Sequence, residues 1–286
     1  MTMTDELRLL TVHAHPDDEA SKGSALVARY RAEGVGATLV CCTGGELGEV
    51  LNPAMDRPEV HADLAGVRYR ELMESAGIIG FNQVELLGYR DSGMPDSEGN
   101  ADPTNFANIP IDVSTGRLVE LIRRDRPQVI LTYSDDQGGY PHPDHLRVHD
   151  ISRLAWDRAG DPDWYPDAGE PWTPSKMYYS VWSRARIEAV HQRILELGRE
   201  SPYDENWFSR PNQDERITSR VDVGQFLDVR DRSLRAHATQ VDPASPFWFA
   251  LSPEEMAGVF VWDEYVLAET RVNVTLPEDD LFAGIR

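Results

Sequence analysis

Two short stretches hold residues whose types and spacing suit hydrolytic chemistry: His15-Pro16-Asp17-Asp18 and His142-Pro143-Asp144-His145. Imidazole nitrogen and carboxylate oxygen suit Zn²⁺, and three protein ligands plus a water make a catalytic rather than a structural centre. His15, Asp18 and His145 supply those three. Asp17 is then left unligated beside the water, placed to take its proton. Taken singly, either stretch is equally a turn with a helix cap, because Asp at an N-cap is common. Their joint appearance, each at the end of an apolar strand, favours the catalytic reading. The ligand set admits Zn²⁺ or Fe²⁺, with availability deciding between them.

The elements that position these residues are legible as alternating apolar runs and helical patterns. Leu9, Leu10, Thr11 and Val12 are strand formers, and Pro16 turns the chain out of the sheet, so His15, Asp17 and Asp18 fall at a strand's carboxyl end. Helical spacing follows over Lys22–Gly34, a second strand over Ala37–Cys42, and a glycine-rich loop, Thr43–Glu49, that lacks the lysine and spacing of a P-loop. Pro58–Gly80 is predicted as one long helix, Gln83–Leu87 as a third strand, 94–110 as a surface loop and Ser114–Arg124 as a helix. The fourth strand, Pro127–Tyr133, runs into Ser134–His145, and a helix spans Leu146–Ala159. Strands alternating with helices predict an α/β fold with a Rossmann-like, mostly parallel sheet and helices on both faces. In such sheets ligands bind in the crevice outside the carboxyl ends, so the first and fourth strands, set side by side, bring both motifs into one site.

Beyond Gly160 the composition turns to Pro, Trp and acids. The expected organisation is a catalytic core over 1–160 and a smaller α+β region over 161–286 that completes the sheet and caps the site. That region holds a fifth strand at Met177–Trp182, a helix at Arg184–Arg199, an edge strand at Thr218–Val223, a helix at Val223–Ala238 and a partly ordered tail, PEDDLFAGIR.

The chain has 286 residues, with 28 Lys plus Arg against 49 Asp plus Glu, a net charge of −21. Such a field disfavours nucleic acid and anionic membrane as partners. No apolar run reaches the ~18 residues of a membrane span, and the first residues, MTMTDELR, show no signal-peptide pattern. Cys41 and Cys42 are adjacent in an apolar strand, so their side chains face opposite ways. They read as small buried residues of a reduced, cytoplasmic protein.

HAHPDDE at 13–19 with GGYPHPDH at 138–145 resembles the LmbE-like family of zinc-dependent deacetylases, and the likeness runs over nearly the whole chain. The family removes acyl groups from glucosamine-containing small molecules. LNPAMDRPEVHADL (51–64), GYRDSGMP (88–95), DAGEPWTPSK (167–176), RAHATQVDP (235–243) and HPDDEASKG with Lys22 are similar to the branch that cleaves mycothiol S-conjugates. The implied substrate is a small thiol–sugar conjugate. A sister branch deacetylates N-acetylglucosaminyl-inositol and generally lacks the lysine.

The resemblance implies roles. His15, Asp18 and His145 match the zinc ligands and Asp17 the general base. His142 matches the histidine that stabilises the oxyanion and protonates the leaving amine, Asp144 the acid that orients it, and Tyr140 a mobile residue that polarises the carbonyl. Gly138 and Gly139 suit that mobility, though turn geometry alone explains them. Arg68 and Asp91, joined by Glu49, match positions that hold sugar and inositol hydroxyls; the plain alternative puts Arg68 and Glu71 on a solvated helix face. Lys22 contacts the cysteinyl or inositol part or is an exposed helix-start lysine. His237 and Gln240 are second-tier candidates for entry from the C-terminal region. His13 reads as a structural core histidine. The tryptophans between 156 and 182 form either a wall for a hydrophobic S-substituent or the core of the cap.

Overall fold

The computed structural model describes residues 6–137 and 139–286; the start of the chain and Gly138 lie outside the described residues. Seven strands form one sheet: β1 (Arg8–His13), β2 (Gly36–Thr43), β3 (Gln83–Tyr89), β4 (Val129–Thr132), β5 (Lys176–Val181), β6 (Ser219–Asp222) and β7 (Trp262–Thr270). Their order is β3-β2-β1-β4-β5-β7-β6. The first five pair in parallel, and β7 runs antiparallel between β5 and β6. β1 and β4 are neighbours, with Leu9 opposite Val129, so the loops carrying the two histidine motifs leave the sheet side by side.

The helices are α1 (Asp18–Ser21), α2 (Ser24–Ala32), α3 (Pro58–Ala62), α4 (Leu64–Ile79), α5 (Ile111–Asp125), α6 (Pro143–Arg158), α7 (Arg184–Glu196), α8 (Glu205–Ser209), α9 (Leu227–Ala236), α10 (Pro246–Phe249) and α11 (Pro253–Ala257). Strand alternation sends Leu9 to one face, where α2 and α9 pack through Leu26, Tyr30 and Leu227. Leu10 and Val12 go to the other face, against α5 and α6 through Leu118, Ile122, Val148 and Ile151. Cys42 shares that second face while Cys41 points the other way onto Leu72 of α4. Both thiols are free and fully buried.

Several expectations are corrected. The helix expected over Pro58–Gly80 is two helices. Asp63 breaks it with φ −140° and ψ 49°, and its side chain caps the second by accepting from the Gly66 N–H; an Asx side chain that satisfies a helix start competes with continuing the previous helix. The helix expected from Leu146 starts at Pro143, because proline is preorganised for a first helical position. The 94–110 loop is not wholly a surface feature: Phe106 is buried against Tyr89. The tail is ordered, with Leu281 and Phe282 fully buried and Phe282 packed on Tyr30. Its acids hid an apolar pair that the core accepts. Among the described residues no helix is long and apolar enough to cross a membrane.

Candidate active site

Four loops leave the carboxyl ends of β1, β2, β3 and β4 and meet over the sheet edge. The β1 loop brings His15, Asp17 and Asp18. Proline at 143 makes His142 the N-cap of α6 and places His145 one turn on, so both imidazoles face the β1 loop. His15 Nδ1 and His145 Nε2 each lie 3.5 Å from Asp18 Oδ2. Tetrahedral bonds of ~2.0–2.1 Å would set neighbouring ligand atoms about 3.3 Å apart, so these three buried residues fit a divalent metal. Asp18 Oδ1 accepts from Lys22 Nζ at 2.6 Å, leaving Oδ2 to the histidines. The other nitrogen of His15 meets Asp144 Oδ2 at 3.2 Å, the outer-shell carboxylate that typically fixes a ligand imidazole. Asp144 Oδ1 is buried with no hydrogen-bond partner among the described residues.

A second group, His15, Asp91 and His142, gathers on the other side of the His15 ring, with Asp91 Oδ1 3.6 Å from His15 Nε2. Asp91 is anchored by the Gly93 N–H at 2.7 Å and the Leu47 N–H at 3.3 Å.

Asp17 takes neither ligand role. Its backbone is in the left-handed region, φ 114° and ψ −25°. For a residue other than glycine such a conformation costs on the order of 1–3 kcal/mol and survives only where neighbours hold it. Two do. Glu19 accepts from the Asp17 N–H at 3.0 Å, and Arg68 donates to Asp17 Oδ2 at 3.1 Å and to Pro16 O at 2.6 Å. The glycine-rich loop makes room for this guanidinium: a Cβ at Gly45, which has φ +66°, would lie 2.3 Å from Arg68 Nη1. Burial raises the Asp17 pKa against the opposing charge of Arg68. Burial also works against ionised Asp18, yet Lys22 and His145 outweigh it and hold that carboxyl well below its ordinary value. At His15 burial is outweighed by Asp144, Asp18 and Asp91, which raise its pKa; at His145 burial dominates and lowers it to about 4.

His142 Nδ1 accepts from the Asp144 backbone N–H at 3.2 Å, so the neutral ring carries its proton on Nε2. The Asp144 carboxylate itself reaches His15 and the Ser92 N–H, not the His142 ring. Tyr140 is half exposed beside His142 and His145, with its hydroxyl on Met94 Sδ at 3.3 Å. Gly139, before it, has φ +84°.

The remaining candidates divide. Arg68 and Glu71 are buried, so the solvated-face alternative is corrected; Glu71 accepts from Thr239 N and Oγ1. Lys22 is not an exposed helix-start lysine but pairs with Asp18 above the Tyr133 ring. Gln240 Nε2 donates to Glu49 O at the rim, while the Glu49 side chain is exposed. His237 is fully buried and meets Glu19 Oε1 at 2.6 Å, behind the site rather than in it. His13 is a core residue against the Tyr133 hydroxyl. Trp156 is buried in the core, Trp172 donates to Pro127 O, and Trp182 joins a ring cluster with Phe247 and Trp248.

Residues without a prior role also shape the site. Glu19 links Asp17 N, Ser75 Oγ and His237, and Tyr133 stacks on His145 with ring centroids 4.5 Å apart. The signal for Glu19 was a third acid directly after Asp17 and Asp18 in a stretch that must turn back onto an apolar helix.

A histidine and carboxylate cluster at the carboxyl edge of a parallel sheet, with a spare carboxylate beside it, belongs to a hydrolase that activates water. The chain belongs to the PIG-L family, described as GlcNAc-PI de-N-acetylase, whose pattern matches residues 10–156. This bears out the LmbE-like resemblance, and deacetylases of the family are metal-dependent. The chain is 46% identical to a mycothiol S-conjugate amidase of Streptomyces coelicolor, over 99% of both chains. It is 40% identical, again over 99% of both, to a 1D-myo-inositol 2-acetamido-2-deoxy-alpha-D-glucopyranoside deacetylase of Geodermatophilus obscurus. The solved N,N'-diacetylchitobiose deacetylase from Pyrococcus horikoshii shares the fold, with TM-score 0.63 and 17% identity over 91% of this chain and 83% of that one.

Proposed function

We propose that the protein is a metal-dependent amidase of the cytoplasm that cleaves mycothiol S-conjugates. Water is added across the amide between the N-acetylcysteinyl S-conjugate and glucosaminyl-inositol, giving a mercapturic acid and the free amino sugar. The observation that carries the chemistry is Asp17: a carboxylate held in a costly backbone conformation beside a complete ligand set, yet outside it. Simple metal or sugar binding needs no spare base.

His15, Asp18 and His145 would hold the metal, Zn²⁺ or Fe²⁺, which when bound acidifies water and polarises a carbonyl. Asp17 takes the proton of the attacking water, its basicity helped by burial. Negative charge develops on the carbonyl oxygen, and Tyr140 and His142 supply hydrogen-bond donors to it. The leaving amine nitrogen then takes the proton that Asp17 removed from the water, while His142 keeps its Nε2 proton as the donor to the oxyanion. Asp144 fixes the orientation of His15 and, through its backbone N–H, that of His142. Glu49 and Gln240 lie at the rim, and Lys22 and Asp91 lie deeper, beside Asp18 and His15; the sugar, inositol and cysteinyl groups would be read by these four, while Arg68 acts from behind by holding Asp17.

The full-length identity of 46% to the S-conjugate amidase supports this branch over the deacetylase at 40%. The second reading, removal of acetate from N-acetylglucosaminyl-inositol, shares every catalytic group. A side-by-side hydrolysis assay on a mycothiol S-conjugate and on N-acetylglucosaminyl-inositol, each with and without a chelator, separates the two. Preference for the conjugate, abolished by chelation, is expected. Preference for the acetylated sugar would assign the protein to the biosynthetic step.

A further inference from the structure

Behind the reacting groups, one short segment after α9 holds several of their supports at once. His237 closes the carboxyl end of α9, with its ring fully buried. Its Nε2 donates to Glu19 Oε1 at 2.6 Å, and its Nδ1 has no hydrogen-bond partner among the described residues. The hydrogen bonding of the ring is therefore directed at one carboxylate. Ser75 Oγ donates to the same oxygen, and the other oxygen of Glu19 accepts from the Asp17 N–H at 3.0 Å. Two residues further on, Thr239 donates to the Glu71 carboxylate from its N–H at 2.8 Å and from its hydroxyl at 2.6 Å. Glu71 lies three residues after Arg68 on α4, so the two share one helix face. Arg68 in turn donates to Asp17 Oδ2.

Both holders of Asp17 thus trace back to residues 237–239: Glu19 directly through His237, and Arg68 through the helix that Thr239 ties down. Other contacts already fasten this segment to the core. Ala20 of α1 is fully buried against Leu234 and Val241, which flank His237 in the chain. The Leu51 N–H donates to Thr239 O at 2.8 Å, and Asn52 Nδ2 to Ala238 O at 2.9 Å. A buried ion pair is often no more stabilising than an apolar pair of like volume. What the His237–Glu19 pair supplies here is a fixed direction for one carboxylate. That direction matters at Asp17, whose φ of 114° persists only while its neighbours hold it.

We propose that His237, acting through Glu19, is a positioning residue for the hydrolysis: it locks the Asp17 backbone so that the Asp17 carboxylate faces the attacking water. The inference rests on the amidase reading above, in which Asp17 is the base, and adds the C-terminal region to the groups that set its aim. Without the His237 donor, Glu19 is free to turn and the Asp17 N–H loses its fixed acceptor. The backbone then relaxes from the left-handed region and carries the carboxylate off the line of proton transfer. The proposed metal ligands keep anchors of their own, Asp18 on Lys22 and His15 on Asp144, so metal binding stays in place.

The test measures kcat, KM and bound metal for the metal-loaded wild type, His237→Leu and His237→Gln on a mycothiol S-conjugate, and repeats His237→Leu in an Asp17→Ala background. His237→Leu is expected to lower kcat by up to about 10²-fold, the scale of a small misplacement of a reacting group, with KM and metal stoichiometry unchanged. His237→Gln, which keeps a donor for Glu19, is expected to recover most of that loss. In the Asp17→Ala background His237→Leu is expected to bring no further loss, because the group it aims is already gone. Wild-type kcat in folded, metal-loaded His237→Leu, or the same fold-loss in both backgrounds, would overturn the positioning role and leave a structural pair. If thermal unfolding shows that His237→Leu does not fold, Ser75→Ala, which removes the other donor to the same Glu19 oxygen, takes its place in the cycle. A wild type that cleaves N-acetylglucosaminyl-inositol but no conjugate would overturn the amidase reading alone, and the same cycle is then run on that sugar.

Discussion

The two ends of the parallel sheet both bury charge, and they do so in opposite ways. At the amino end of β5, Lys176 pairs with Glu278, both fully buried or nearly so. The same carboxylate accepts from the Tyr178 hydroxyl at 2.7 Å and from Ser219 Oγ at 3.3 Å, and Lys176 also donates to Ala283 O. Each polar atom there has a protein partner. At the carboxyl edge, Asp18, Asp91 and Asp144 crowd His15, Asp144 keeps an oxygen with no partner among the described residues, and Asp17 is strained. Burying unbalanced charge is costly. The first cluster ties the tail to the sheet; the second is arranged around something the protein chain does not itself supply.

The same substitution at both ends breaks this comparison most sharply. Lys176→Met leaves Glu278 buried without its cation, and urea unfolding is expected to show a loss of about 3–5 kcal/mol. Lys22→Met removes the partner of Asp18, but a metal held by the proposed ligands would compensate that carboxylate. Metal-loaded Lys22→Met is therefore expected to lose less than ~1 kcal/mol, the smallest effect here. Equal losses would mean that the carboxyl edge is a structural ion-pair network like the other.

Between these lies the buried Glu19–His237 pair. Burial opposes charge on both, but each partner outweighs it: His237 is raised above its ordinary 6.5 and Glu19 lowered below its ordinary 4.5. The histidine contributes stability that is whole below pH 6.5 and lost as pH rises through its raised value. The glutamate contributes stability that is whole above pH 4.5 and lost as pH falls through its lowered value. The pair therefore stabilises most between pH 4.5 and 6.5. His237→Gln is expected to cost on the order of 1–3 kcal/mol in that window and to flatten the decline of stability above it. An unchanged unfolding free energy across that range would place His237 outside the network.

The sequence revealed the reacting groups better than their supports. HPDD and HPDH were readable because each ends an apolar strand, and parallel topology places such ends together. The supports join positions far apart in the chain: Glu19 with His237, Lys176 with Glu278, Glu71 with Thr239. Nothing local marks Glu278 as buried, since the acid beside it, Asp279, is exposed. Asp63 shows the converse limit: periodicity continued across it, and a single capping side chain decided the break. Arg68 was found as a site residue but placed on a ligand; only its 3.1 Å bond to Asp17 reveals that it acts from behind.

The most direct measurement takes metal content and turnover together in Asp17→Ala and His142→Ala. Both variants are expected to retain a bound metal at wild-type stoichiometry while kcat falls about 10²–10⁴-fold. Turnover near the wild-type level with metal bound would contradict the assignment of Asp17 as the base and His142 as the oxyanion donor at this centre.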